Sequence, residues 1–133
     1  FLKEIGIDAD PRLIICEADE MHPFVQTEMM MPVLPIVRVN NIDEAIDMAV
    51  KAEHGCRHSA HIHSKNVERL TRFAREVETT IFVKNAPSYA GIGAGGEGHT
   101  TFTIAGPTGE GLTSARSFTR QRRCVLAEGF RIV

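Results

Sequence analysis

Val33 to Lys84 reads VLPIVRVNNIDEAIDMAVKAEHGCRHSAHIHSKNVERLTRFAREVETTIFVK, and its periodicities decide the fold class. Pro32 to Val39 is a strand by its β-branched content; Pro35 cannot donate to a ladder and so marks an edge or an irregular start. Asn41 to Glu53 is a helix. Asn41 and Glu44 form a capping-box-like pair, and Asp43 and Glu44 suit the positive end of the dipole. Ile42, Ala45, Ile46, Ala49 and Val50 recur on one face, and Gly55 supplies the stop. Ser59 to His63 alternates as a strand, Ala60 and Ile62 on one side, His61 and His63 on the other. Ser64 is the expected cap of a second helix with Val67, Leu70, Ala74 and Val77 as its buried stripe. Thr80 to Lys84 is apolar without alternation, as expected of a strand covered on both faces. Strand, helix, strand, helix, strand with short links predicts an α/β fold with right-handed parallel crossovers.

Working outward on the N-terminal side, Leu13 to Cys16 is a short apolar run between Asp10-Pro11 and Glu17-Ala18-Asp19-Glu20, which predicts a buried strand. Pro23 opens a short helix over Phe24 to Met29, and Met30 and Met31 follow. On the other side, Gly91 to Arg116 reads GIGAGGEGHTTFTIAGPTGEGLTSAR and holds eight of the eleven glycines. Glycine at that density serves positive φ and close backbone approach. Phe102, Ile104, Pro107 and Leu112 interrupt it, so the stretch predicts an ordered loop packed over a site, not a flexible linker. Ser117 to Leu126 and Phe130 to Val133 read as extended terminal segments. Arg120, Arg122 and Arg123 beside Phe118 and Val125 suit an edge strand that meets solvent or joins another subunit's sheet.

A length of 133 residues suits one domain, and 43% apolar residues suffice for a core. The net charge of −2 gives no basic face, so no nucleic acid is expected as a partner. No apolar run approaches a membrane span, and no membrane is expected either. Three cysteines at unrelated spacings, Cys16, Cys56 and Cys124, read as reduced thiols of a cytoplasmic protein. Cys56, His58, His61 and His63 are metal-competent, but the spacing matches no zinc pattern and no second ligand cluster accompanies them. They read as surface or cleft histidines, with no metal expected. Gly106 to Thr113 has glycines in the manner of a phosphate loop but lacks its lysine. Glu28 sits where a helix gives way to a strand, a connection of the kind that builds α/β sites.

At Glu28-Met29-Met30-Met31-Pro32-Val33 the chain resembles the aldehyde dehydrogenase superfamily, whose pattern there is Glu, two mostly apolar residues, Gly, Pro and Val. RHSAHIHSKN, FVKNAPSYAGIGAGGEG and GPTGEGLTSARSFTRQRRCVL look like its coenzyme-A-acylating branch, nearest the enzymes of ethanolamine and propanediol utilisation. The resemblance implies the parallel-sheet part of that family's catalytic domain over 1–116 and an oligomerisation tail with an extended strand over 117–133. It implies an NAD-dependent conversion of a short-chain aldehyde and coenzyme A to acyl-CoA through a cysteine thioester, in a homo-oligomer. Glu28 would hold hydroxyls of the nicotinamide ribose. Met30, where the family at large often has Phe, would sit near the nicotinamide ring. Pro87, Ser88, Tyr89 and Ile92 would form the wall of the aldehyde tunnel, and His58, in the branch's Arg-His-Ser motif, is a substrate-side candidate without an assigned role. The family's nucleophilic cysteine would precede Phe1, and no cysteine here matches it. With no initiator Met, the chain is expected to be a C-terminal piece of such an enzyme, inactive alone. The nearest relatives imply the cytoplasm and association with a bacterial microcompartment. The alternative is a stand-alone, non-catalytic assembly or binding module with the same fold.

Overall fold

The structure, a computed structural model, describes residues 2–97, 101–106, 111–125 and 127. It divides into two compact units, Phe1–Gly55 with Thr71–Val77, and Cys56–Leu70 with Glu78–Val133.

In the first unit β1 (Ile14–Glu17) and β2 (Val33–Ile36) pair in parallel, Ile14 opposite Val33 and Glu17 opposite Ile36. Both strands keep a free edge among the described residues, and Pro35 is tolerated in such a sheet. The expectation that Leu13 to Cys16 is buried is corrected. Side chains alternate across the pair, so Ile15, 60% accessible, shares an exposed face with Leu34 and Ile36. Helix α1 (Pro23–Gln26) is shorter than expected because Thr27 turns extended, with φ −129° and ψ 131°. Its first turn is capped by the His22 ring, whose Nδ1 accepts from the Phe24 N–H at 3.1 Å. Helix α2 (Ile42–Ala52) starts where Asn41 accepts the Glu44 N–H at 2.9 Å. The Glu44 carboxylate reaches back one residue further than a capping box requires, to the Asn40 N–H at 2.8 Å. Ile46 is buried.

Helix α3 (Val67–Val77) contributes Val67–Leu70 to the second unit and the rest to the first. Its cap is Asn66, not Ser64. The Asn66 side chain accepts the Arg69 N–H at 3.0 Å, and the Ser64 hydroxyl accepts the Asn66 N–H at 3.1 Å. Ser64 lies too far ahead of Val67 to serve the first helical N–H groups itself. The inward stripe is Leu70, Phe73, Ala74 and Val77; Phe73 and Val77 are buried and Leu70 and Ala74 half-buried, whereas Val67 is exposed in the first turn. Within the first unit, Arg72 forks to Asp43 at 2.5 Å, Asp47 at 2.6 Å and Glu76 at 2.8 Å.

In the second unit β3 (Ser59–Ile62) and β4 (Ile81–Lys84) are parallel, Ser59 opposite Ile81 and Ile62 opposite Lys84. The parallel pairing agrees with the crossovers read from the sequence, but β2 and β3 do not join: the described strands form three two-stranded sheets. β4 also alternates after all, Ile81 and Val83 buried and Lys84 exposed. The glycine-rich stretch is ordered where it is described. β5 (Ile104–Ala105) and β6 (Gly111–Leu112) pair antiparallel, and Ile104 and Leu112 pack with Ala86 and Ile92 around a core of Ile81, Val83 and Ala90. The buried Thr113 hydroxyl donates to the Thr103 carbonyl and lies 3.2 Å from Thr101 Oγ1.

The expected terminal strand is corrected at its start. Ser114 and Ser117 cap one another reciprocally, and this bends Ala115–Phe118 into a 3-10 turn. Thr119 to Val125 is exposed and pairs with no strand among the described residues. Leu126 and Phe130 to Val133 lie outside the described residues.

Candidate functional site

Two groups of candidate residues stand in separate units. In the first, Glu28 and Met30 line one hollow of about 230 Å³ together with Phe24, Met31 and Val33, between the end of α1 and the start of β2. The chain changes direction there through Met30, which is left-handed at φ 52° and 87% accessible. A bulky residue held in that region stores roughly 1–2 kcal/mol of steric strain, a kind of outlier that clusters at functional sites. The exposed carboxyl of Glu28 can accept two hydroxyls of a sugar. The thioethers and the Phe24 ring offer a polarisable apolar rim for a flat ring. An acceptor pair beside an apolar rim has the chemistry that a sugar joined to a flat ring requires.

In the second unit the residues after β4 form a 3-10 turn, Ser88–Ile92, behind an extended Pro87. Ala90 and Ile92 sit in the core formed with Ile81 and Val83. Gly91 is required at this seat, because a Cβ there would overlap the Ile81 Cγ2 and lie 3.3 Å from a Val83 methyl. Pro87, Ser88 and Tyr89 are exposed, Tyr89 to 65%. Beside the turn lies a hollow of about 390 Å³ lined by Phe82, Lys84, Ala90, Gly91, Gly96 and Glu97, among others. Pro87, Ser88, Tyr89 and Ile92 are not in its lining.

His58 is exposed. Its Nδ1 lies 3.0 Å from the Ser59 hydroxyl, and its carbonyl accepts the Ile81 N–H at 3.1 Å, so its backbone belongs to the parallel ladder. The preceding Arg57 and the distant Glu78 are both left-handed, at φ 52° and 48°, and their side chains pair at 2.8 Å. Among the described residues no three His, Cys, Asp or Glu side chains converge as a metal site; the His61 and His63 rings stand edge to face at 6.0 Å. Cys56 and Cys124 are exposed, and Cys16 is half-buried.

Two polar contacts beside Pro87–Ile92 were not read from the sequence. Asn85, at φ 55°, exchanges two side-chain hydrogen bonds with the Ser64 backbone, and His61 Nδ1 meets the Ser88 hydroxyl at 3.3 Å. An Asn directly after a strand is a signal for a left-handed exit. Nothing local points to its partner.

The aldehyde dehydrogenase family profile matches residues 10–119. The chain is 55% identical over 129 residues to acetaldehyde dehydrogenase (acetylating) EutE of Salmonella typhimurium, covering 97% of this chain and 28% of that protein. It is 59% identical over 122 residues to propanal dehydrogenase (CoA-propanoylating) of Citrobacter freundii, covering 92% of this chain and 26% of that one. Among solved structures, a propionaldehyde dehydrogenase from the Clostridium phytofermentans fucose utilisation bacterial microcompartment superposes with a TM-score of 0.85 at 59% identity. That match covers 94% of this chain and 29% of the other. The Rhodopseudomonas palustris propionaldehyde dehydrogenase, solved with bound CoA and an acylated cysteine, gives 0.85 at 60% identity over the same shares. The chain spans little more than a quarter of the length of these relatives.

Proposed function

The chain belongs to the aldehyde dehydrogenase family and has its α/β fold, and on that premise we propose that it forms part of an NAD-dependent enzyme that turns a short-chain aldehyde and coenzyme A into acyl-CoA. The observation that carries this reading is identity of 55% with an acetylating relative across 97% of the chain. The nucleophilic cysteine comes from sequence that Cys16, Cys56 and Cys124 do not represent. There a thiolate adds to the aldehyde, and the acyl group passes from the resulting thioester to coenzyme A. NAD, when bound, accepts the hydride. Glu28 accepts the hydroxyls of the nicotinamide ribose, and Met30 lays its thioether beside the ring. Pro87, Ser88, Tyr89 and Ile92 bound the aldehyde on one side, with His58 on the substrate side. Residues 117–133 serve assembly of a homo-oligomer, and the cytoplasm, with a bacterial microcompartment, is the place of action. Among the described residues no helix is long and apolar enough to cross a membrane.

The test is to express the full-length protein and supply acetaldehyde or propionaldehyde with coenzyme A and NAD. Acyl-CoA and NADH formed in equal amounts support the proposal. NADH formed with free carboxylic acid, and no thioester, would overturn the acylating reading.

A further inference from the structure

β3 and β4 run parallel, so both end at the same edge of their sheet, and the Pro87–Ile92 wall leaves from that edge. Its underside is held by apolar packing of Ala90 and Ile92 on Ile81 and Val83. Apolar contact resists lifting but is non-directional, and it does little to fix where Pro87, Ser88 and Tyr89 lie along the sheet edge. Among the described residues, two polar tethers act on that part of the chain, and both come from β3 or from the residues just after it.

The first is at the root. Asn85 turns left-handed at φ 55°, and its N–H donates to the Ile62 carbonyl at 2.9 Å. Its side-chain oxygen accepts the Ser64 N–H at 2.8 Å, and its amide nitrogen donates to the Ser64 carbonyl at 2.9 Å. One side chain thus satisfies both backbone groups of a residue 21 positions away, as a strand neighbour would. The second tether is at the first turn of the wall. The Ser88 hydroxyl lies 3.3 Å from Nδ1 of His61, a β3 residue in register with Val83.

We propose that His61 and Asn85 are positioning residues that hold the Pro87–Tyr89 segment in place and thereby set how well the aldehyde fits. The inference rests on the proposed activity and deepens it: neither residue touches the reacting atoms, and both act through the wall. Loss of either tether weakens aldehyde binding and leaves the bound complex to react at its usual rate.

The test uses the full-length enzyme with saturating coenzyme A and NAD and with propionaldehyde varied. Asn85→Gly keeps the left-handed backbone and removes both clamp bonds; His61→Ala removes the second tether. Each is expected to raise the KM for aldehyde about tenfold, the scale of one lost hydrogen bond, with kcat changed by less than about twofold. His61→Asn places an amide oxygen near the position of Nδ1 and is expected to bring KM back to within about twofold of wild type. On a Ser88→Ala background, His61→Ala is expected to add nothing. KM values unchanged in both single variants, or a His61→Ala defect that His61→Asn does not restore, overturn the proposal. So does a fall in melting temperature without a change in KM, which marks the tethers as structural only. If Asn85→Gly does not fold, Asn85→Asp, which keeps the acceptor and loses the donor, is read instead against the same expectation. A wild-type enzyme that makes no acyl-CoA overturns the activity itself, an outcome distinct from active enzyme with unmoved KM.

Discussion

Glu28 and Gly91 can be tested in opposite ways, one through ligand chemistry and the other through packing. Glu28 is exposed at the edge of its hollow and has no role in a core, so its removal tests ligand chemistry alone. In the full-length enzyme Glu28→Gln is expected to slow hydride transfer by up to about a hundredfold, because positioning errors carry penalties of that order. The melting temperature is expected not to move. Stopped-flow appearance of NADH at the wild-type rate would remove Glu28 from the site. Gly91 is the opposite case. A methyl at this position must displace the Ile81 side chain beneath it, so Gly91→Ala is expected to cost roughly 1–3 kcal/mol, the usual penalty of overpacking. Denaturant unfolding checks this, and a neutral substitution would mean that the turn does not sit on β4 as described.

At the scale of elements, Arg72 joins α2 to the last two turns of α3. Its guanidinium pKa is pushed further up, first by the hydrogen bond with Glu76 and then by the charges of Glu76, Asp47 and Asp43, against an opposing desolvation. A raised basic group contributes stability that is complete below its unfolded pKa and is lost only as pH rises through the folded one. Both lie above any working pH, so this guanidinium adds no pH dependence near neutrality. Arg72→Met is expected to lower the melting temperature by the same amount at about pH 7 and about pH 9. Arg72→Lys is expected to recover only part, since a single ammonium cannot fork to three carboxylates. A loss that vanishes by the higher of these pH values would contradict the assignment.

At the scale of the whole molecule, the 133-residue chain covers 28% of its acetylating relative. On the proposed function, none of Cys16, Cys56 and Cys124 is the nucleophile. Purified alone, the chain is expected not to reduce NAD in the presence of acetaldehyde and coenzyme A. Turnover abolished by Cys56→Ser would make Cys56 the nucleophile and reverse that expectation. The tail carries its own prediction. Phe118 and Val125 are exposed beside Arg120, Arg122 and Arg123, and Thr119 to Val125 finds no partner strand among the described residues. An unpaired extended segment of this kind gains hydrogen bonds by joining a sheet of another chain. The chain is expected to self-associate, and removal of residues 117–133 to make it monomeric or insoluble. A monomer by light scattering, with amides of Phe118 to Val125 exchanging as in a free coil, would contradict an assembly role.

Type and order of the elements from β1 to β4 were legible in the residues, whereas the β5–β6 pair and the 3-10 turn at Ala115–Phe118 were not. Local periodicity and capping signals gave α2 with its Asn41 cap, and the strand-helix-strand order gave the parallel pairing of β3 and β4, while the exposure of Ile15 and the alternation of β4 were not read. The motif runs carried the family. The tertiary structure decided what periodicity left open: that Asn66 and not Ser64 caps α3 and that Phe73 completes its stripe. It also decided that Asn85 clamps Ser64 and that His61 reaches Ser88, pairs 21 and 27 residues apart. A hydrogen bond from a polar side chain to a group remote in the chain leaves no periodic trace in a sequence, because its geometry exists only after the strands have been brought side by side.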